Sequence, residues 1–164
     1  MEFLEPFYKP YPSLLNFELN DNKLRTPQSL FAIFENNPQL ISLKLFFGGW
    51  NSELLNHINS HLINLEELKL SENDAKNIDL IVKFSRPTKI KNLNLEWSRL
   101  SNCSLDSILL NCPHLEELAL YGYNTLPRNN YFKSLNLSNP DKLKKLSIHC
   151  DYLSEGVFDS LLFN

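Results

Sequence analysis

The sequence predicts an α/β fold in which short parallel strands alternate with short helices along a stack of about six units. The first observation is the spacing LxxLxL at residues 65–70, with apolar side chains in the first, fourth and sixth places. The second is the recurrence of that spacing at steps of 26, 25, 25, 25 and 28 residues, from first positions at Leu14, Leu40, Leu65, Ile90, Leu115 and Leu143. The third is helical spacing of apolar residues in the intervals between these segments.

A period of about 25 residues with this spacing is typical of leucine-rich repeats, in which each unit is a strand, a turn and a returning helix. We therefore predict a right-handed leucine-rich-repeat solenoid, with a parallel sheet on the concave face and short helices on the convex face. The fourth and sixth positions of each LxxLxL segment should point into the stack. Leu43 would then rest on Phe17 on one side and on Leu68 on the other, because no single unit can bury that face alone.

Residues 1–13 precede the first unit and carry three prolines among four aromatic residues. Prolines at this density prevent a regular helix and favour an extended segment, so we expect an apolar strap over the first unit. The repeat domain should then span residues 14–164, with helices at 27–35, 53–59, 78–84 and 104–110, a weaker one at 131–137, and a last one at 154–163. A solenoid ends in a unit with a polar outer face, and nothing after Asn164 covers the last helix. We therefore expect the chain to be part of a longer array, the alternative being an end capped by another chain.

Composition indicates the class of protein and excludes some partners. The 164 residues, 43% hydrophobic and 21% charged, form about one ordinary globular domain. The formal net charge of -3 gives no reason to expect nucleic acid or an anionic membrane as a partner. The first residues lack the basic and apolar regions of a signal peptide, and no apolar stretch approaches a membrane-spanning length.

Cysteine usage points to a reducing compartment. Cys103, Cys112 and Cys150 are odd in number, widely spaced and without a CxxC pair. This pattern fits free thiols better than a disulfide framework, and it indicates a cytoplasmic or nuclear protein.

One segment carries a resemblance to a known family, namely Asn111-Cys112-Pro113-His114-Leu115-Glu116-Glu117-Leu118-Ala119-Leu120. It resembles the cysteine-containing leucine-rich repeats of F-box proteins and of antagonist-of-mitotic-exit-network-like proteins, within the ribonuclease-inhibitor-like superfamily. In that family a helix ends in a cysteine-proline pair that begins the next unit; residues 36–40 and 138–140 are similar without the cysteine. The family's cysteine or asparagine three places after the last leucine is matched only at Asn22 and Asn73.

The resemblance implies a protein-binding module with no cofactor and no catalytic activity. More specifically, it implies the substrate-recognition part of an F-box-type ubiquitin-ligase subunit, acting in SCF-dependent protein degradation. The target would lie on the concave face, and a ubiquitin-ligase adaptor would bind through regions outside this chain.

Three other functions stay open at this stage. The chain could regulate an enzyme by covering its active site, as ribonuclease-inhibitor-like proteins do. It could activate a GTPase, with Arg99 or Arg128 as the arginine finger. It could also be a purely structural piece of a repeat array.

Residues of the types that bind metals or catalyse reactions are present but do not form a site by spacing. His57 and His61 are four apart on one predicted helix face and could bind zinc, but the glutamate place of HExxH holds Ile58 and no third ligand follows. We interpret them as a solvated helix end. The run His149-Cys150-Asp151 alternates sides on a strand, and Cys112 should pack or cap a turn. The sequence therefore predicts no catalytic, cofactor-binding or metal-binding residues.

A partner-binding site is predicted on the outward positions of the strands, the third, fifth and seventh of each unit. Most of the side chains at these positions are polar, with charges of both signs. Aromatic residues, Trp50 among them, recur where the predicted strands end. Aromatic side chains are common anchors of protein interfaces. The long step after Leu115 inserts about three residues at 121–130, and insertions often lie on the binding side. The predicted partner-binding set is Lys44, Phe46, Phe47, Glu67, Lys69, Glu96, Trp97, Tyr121 and Tyr123.

Overall fold

The computed structural model of the chain describes residues 8–21, 28–48, 51–71, 83–96, 102–122 and 137–150. The predicted helix at 154–163 lies outside these residues. So do most of the predicted helices at 78–84 and 131–137, and the first seven residues of the predicted strap.

Six strands form one open parallel sheet in which each strand pairs with the next along the chain. Each strand begins at the third place of an LxxLxL segment, and the pairing offsets repeat the sequence steps, from Asn16 opposite Ser42 to Glu117 opposite Lys145. The α/β class and the parallel sheet are thereby confirmed, and the layout is compatible with a solenoid. The strands are β1 (Asn16–Asn20), β2 (Ser42–Phe46), β3 (Glu67–Ser71), β4 (Asn92–Glu96), β5 (Glu117–Gly122) and β6 (Lys145–Cys150).

The described residues contain three α-helices, within two residues of their predicted bounds: α1 (Gln28–Asn36), α2 (Ser52–His61) and α3 (Asn102–Leu110). The start of α2 is fixed by Asn51, whose side chain accepts a hydrogen bond of 2.9 Å from the Leu54 amide, as expected of an N-cap asparagine. A short 3₁₀ helix, Pro140–Lys142, precedes β6. Within the described part of the chain, no helix is long and apolar enough to cross a membrane.

The core lies on the side of the sheet where the helices pack. The fourth and sixth positions of the LxxLxL segments supply much of it, and Leu43, Leu68, Leu93 and Leu118 are all almost fully buried. Helix residues such as Leu30, Leu55 and Ile108 join the same cluster. The predicted inward direction of these leucines is confirmed.

Two outward positions differ from the prediction, because Ser42 and Ser71 are buried. Both serines are hydrogen-bonded to carboxylates on the same side of the sheet: Ser42 donates to Glu67, and Ser71 interacts with Glu96. The longer side chains of Glu67 and Glu96 cover the two serines on this side of the sheet.

The second position of each unit shows how regularly the units stack. The amide of Glu66 donates to the Ile41 carbonyl at 2.8 Å, Lys91 to Glu66 at 2.8 Å, Glu116 to Lys91 at 2.8 Å and Lys144 to Glu116 at 2.7 Å. Side chains repeat the pattern, with ion pairs of 2.8 Å between Lys91 and Glu66 and between Lys144 and Glu116. Such exposed pairs stabilise little, so the geometry rests on the backbone bonds and the core.

The described part of the predicted strap attaches to the end of α1 through a buried asparagine. Asn37 is fully buried. Its Oδ1 accepts a hydrogen bond of 2.8 Å from the Tyr11 amide, and its Nδ2 donates to the Ile33 carbonyl at 2.9 Å and to the Lys9 carbonyl at 3.4 Å. One side chain therefore holds both the helix end and the preceding segment.

Candidate partner-binding face

The sheet has one face turned away from the helices, which we call the open sheet face: the third, fifth and seventh positions of β1 to β6. Side chains alternate along a strand, so residues between the buried leucines stand on this side. Most of them are half-buried or exposed, including Lys44, Lys69, Glu96 and Tyr121.

Two ion pairs cross the strands on the open sheet face. The Nζ of Lys44 lies 2.9 Å from Oε1 of Glu67, and the Nζ of Lys69 lies 2.8 Å from Oε1 of Glu96. Strand pairing places Lys44 directly beside Lys69, so each lysine reaches diagonally to a carboxylate on the next strand. Ser42 adds a hydrogen bond to Glu67.

These contacts favour the charged forms of Lys44, Glu67 and Glu96. Burial acts to raise the pKa of Glu67, but hydrogen bonds from Ser42 and Lys44 outweigh it, and the pKa lies below its ordinary value. Burial likewise opposes ionisation of Glu96, and the contacts from Lys69, Ser71 and Asn94 outweigh it, so this pKa is also lowered. The hydrogen bond to Glu67 is the main cause that raises the pKa of Lys44. The open sheet face thus carries oriented charges of both signs rather than a patch of one sign.

Aromatic rings accompany the charges at the downstream edge of the strands. The Nζ of Lys69 lies 5.2 Å from the centroid of the Phe46 ring, within the range of a cation–π contact. Tyr121 stacks on His149 with centroids 4.6 Å apart and planes 7° from parallel, because strand pairing sets the two residues side by side. His149 is not in the predicted partner-binding set, although it occupies the same place in its unit as Tyr121 and is exposed.

A hollow of about 180 Å³ opens on the face over β3 to β6. It arises because the fifth position changes from lysine in β2 and β3 to the shorter Asn94, Ala119 and Ser147. Along β5 the small Ala119 lies between two larger lining residues, Glu117 and Tyr121. Small-molecule sites usually measure about 300–1,000 Å³, so this hollow suits a few side chains of a protein better than a whole ligand.

The predicted partner-binding residues separate into three groups. Six lie on the open sheet face: Lys44, Phe46, Glu67, Lys69, Glu96 and Tyr121. Phe47 does not, and its prediction is wrong: the side chain is fully buried, because the chain leaves β2 there and the Phe47 amide donates to the Ser71 carbonyl at 3.2 Å. Trp97 and Tyr123 lie outside the described residues, as do Trp50, Arg99, Arg128 and the insertion from residue 123 onward.

The interpretation of His57 as part of a solvated helix end is also wrong. Its side chain is only 16% exposed, since the ring stacks between Phe31 and His61 with centroid distances of 4.1 and 4.0 Å. Burial, followed by the charge of His61, lowers the pKa of His57, although Glu35 acts in the opposite direction. His57 is therefore a largely enclosed imidazole whose surroundings favour the neutral form.

Cys112 packs in the core, as predicted. It is almost fully buried, and the Thr88 hydroxyl donates to its Sγ at 3.3 Å. Burial raises the pKa of Cys112 to about 11, so the thiol is protonated at neutral pH and a poor nucleophile. The run His149-Cys150-Asp151 is described only in part. The ring of His149 stacks on Tyr121, whereas Asp151 and the side chain of Cys150 lie outside the described residues.

Comparisons of the chain with protein-family models, with curated proteins and with solved structures found no match.

Proposed function

We propose that the chain is a right-handed leucine-rich-repeat solenoid that binds a partner protein through its open sheet face, on the concave side, and has no catalytic chemistry of its own. The observation that carries the proposal is the hollow over β3 to β6, whose lining includes the aromatic ring of Tyr121 beside the small Ala119. Anchors in protein interfaces are typically aromatic or large side chains that fit a pocket on the other surface.

The charges around the hollow support a protein partner over a charged polymer. Lys44 and Lys69 are already paired with Glu67 and Glu96, so they offer little free positive charge for nucleic acid, whose binding depends on cations that neutralise phosphates. Side chains fixed by ion pairs before binding also lose less conformational freedom when the partner arrives. A peptide segment with polar groups and one or two buried side chains fits this surface.

The resemblance to the repeats of F-box proteins extends the proposal. On that basis the partner is a substrate protein, held for a ubiquitin ligase whose adaptor binds outside this chain, in the cytoplasm or nucleus. Co-purification of such an adaptor with the endogenous protein from its own cells tests this extension alone: its absence would remove the ligase role and leave the binding role standing.

Filling the hollow should abolish partner capture. Ala119→Arg places a long charged side chain at its centre while leaving the buried leucines untouched. We expect proteins that co-purify with the wild-type chain from a lysate of its own cells to be lost with Ala119→Arg. Tyr121→Ala should weaken their binding by roughly tenfold or more, as expected for an aromatic anchor.

The matched control is Ile63→Arg, which adds the same side chain at an exposed position next to α2. All variants should keep the wild-type circular dichroism spectrum and urea midpoint. If Ala119→Arg retained the wild-type set of partners, or Ile63→Arg lost them equally, the assignment of the binding face would be wrong.

A further inference from the structure

Two histidines and a glutamate from neighbouring helices converge on the side of the sheet away from the open face. His57 and His61 lie one turn apart on α2, and Glu35 lies in the last turn of α1. Each offers one donor atom, and the three donor atoms lie within 4.8 Å of one another. No third ligand follows the histidines along the chain, but Glu35 precedes His57 by 22 residues.

One of the donor separations already matches that of a zinc site. Zinc binds imidazole nitrogen at about 2.0–2.1 Å and carboxylate oxygen at about 2.0–2.2 Å, usually with tetrahedral geometry, which sets the donors roughly 3.3 Å apart. Nε2 of His57 already lies 3.3 Å from Oε1 of Glu35. Because the rings of His57 and His61 are stacked with centroids 4.0 Å apart, the His61 ring must turn, and the half-exposed Glu35 carboxylate must shift, to bring all three donors onto one ion.

The ring nitrogens have the hydrogen bonding that metal ligands require. Nε2 of His57 is buried and has no hydrogen-bond partner in the described part of the chain, because the Glu35 carboxylate is near it but not aligned. Nδ1 of His61 lies 3.1 Å from the His57 carbonyl oxygen. A carbonyl can only accept, so in the neutral imidazole Nδ1 carries the proton and Nε2 has the lone pair, an arrangement suited to a histidine ligand anchored by the backbone.

The neighbouring units carry other residues at the places of His57 and His61, so the repeat pattern itself does not call for histidine there. His57 and His61 stand eight and four places before the first leucine of the next unit. At the second of these places the neighbouring units carry asparagine. Each asparagine side chain donates to the carbonyl four residues earlier at 2.8 Å, as the His61 ring contacts the carbonyl of His57. The equivalent residues are Ala32 and Asn36 in α1, and Ser107 in α3 with Asn111 directly after that helix.

We propose that Glu35, His57 and His61 bind a Zn²⁺ ion that ties α1 to α2, with water in the fourth coordination position. Two imidazoles and one carboxylate are ligands that zinc accepts readily. The ion joins two successive units on the helical side of the molecule, so it stabilises the fold and leaves the open sheet face free.

Zinc titration of the chelator-treated full chain tests this proposal. We expect one Zn²⁺ per chain by calorimetry, a melting temperature that rises with Zn²⁺ concentration, and the visible absorption of tetrahedral Co²⁺ when cobalt replaces zinc. The double variant His57→Ser with His61→Asn copies Ser107 and Asn111, the residues at the same places in the unit of α3. It should bind Zn²⁺ more than about 100-fold more weakly, since even the loss of groups that only orient ligands costs about 10–100-fold.

The matched control is His114→Asn with His149→Asn, which removes two histidines elsewhere and should bind Zn²⁺ as the wild type does. All variants keep the three cysteines, so thiol binding contributes equally to each. If the double variant fails to fold by circular dichroism, Glu35→Gln decides, because Glu35 is 51% exposed and its replacement should lower affinity without unfolding. Absence of saturable Zn²⁺ binding by the wild type, or unchanged affinity in the first double variant or in Glu35→Gln, would overturn the site.

Discussion

Replacement of Leu68 by alanine should lower the free energy of unfolding by about 2–5 kcal/mol. Leu68 is 1% exposed in the middle of β3, and strand pairing sets it between Leu43 and Leu93, which are also buried. Alanine would leave a cavity that neighbours on both sides are too constrained to fill. Because globular domains are stable by about 5–15 kcal/mol, this one change should remove a large fraction of the total. Urea unfolding followed by circular dichroism measures it.

Ile63→Ala is the control for that measurement. Ile63 follows α2 and is 50% exposed, so its truncation should change the free energy of unfolding by less than about 0.5 kcal/mol. A loss below about 1 kcal/mol for Leu68→Ala would mean that β3 is not enclosed on both sides as described.

The second large effect is expected at a polar residue. Asn37→Ala should cost about 1–3 kcal/mol, because it leaves the Tyr11 amide and the Ile33 carbonyl without the partner that each has now. The loss should also free residues 8–13 from the end of α1. Urea unfolding measures the first effect, and faster hydrogen exchange at the Tyr11 amide reports the second.

Asn36 provides a matched control because it is the same residue one place earlier. It also donates to a carbonyl four residues back and to the segment before β1, at 2.8 Å to Ala32 and 2.9 Å to Tyr8, but it is exposed. Water can replace its bonds, so Asn36→Ala should cost about 0.5 kcal/mol or less. Equal losses for the two variants would show that burial of Asn37 is not the cause.

The fold could be predicted from the sequence because every strand contains a leucine that faces the core. Buried leucines must recur where strands stack, so the interval from Leu43 to Leu68 equals the offset of their pairing. The helices were located for a related reason, since Leu54, Leu55 and Ile58 face the same core at helical spacing. Phe47 shows where this reasoning stops: an apolar residue just after a strand can face either side, and the turn decides.

The candidate site could be predicted only in part, because it depends on side chains from different units. Lys69 and Glu96 could be assigned to the outward positions, but their pairing depends on the register of β3 and β4 and on the diagonal reach of lysine. The hollow depends on Ala119 and Ser147 being small at the same place in successive units. Comparison of the fifth positions along the sequence would have indicated it.

The surroundings of His57 and His61 were the hardest part of the structure to predict from the sequence. The interval between His57 and His61 shows that they share a helix face, but it does not show what packs on that face. Phe31 and Glu35 come from the preceding helix, and their contact with His57 follows from the packing of α1 on α2. A search for ligands at equivalent places in adjacent units, rather than along one helix, would have found Glu35.

The central claim, that the open sheet face binds a protein, is tested most directly by site-specific photocrosslinking. A photoreactive benzoylphenylalanine is placed either at residue 119, in the hollow, or at residue 63, on the exposed turn after α2, and the protein is irradiated in its own cells. The account predicts a discrete crosslinked species from position 119, identified as another protein by mass spectrometry and lost when Tyr121→Ala is added. Crosslinks from position 63 alone, or the same species from both positions, would contradict it.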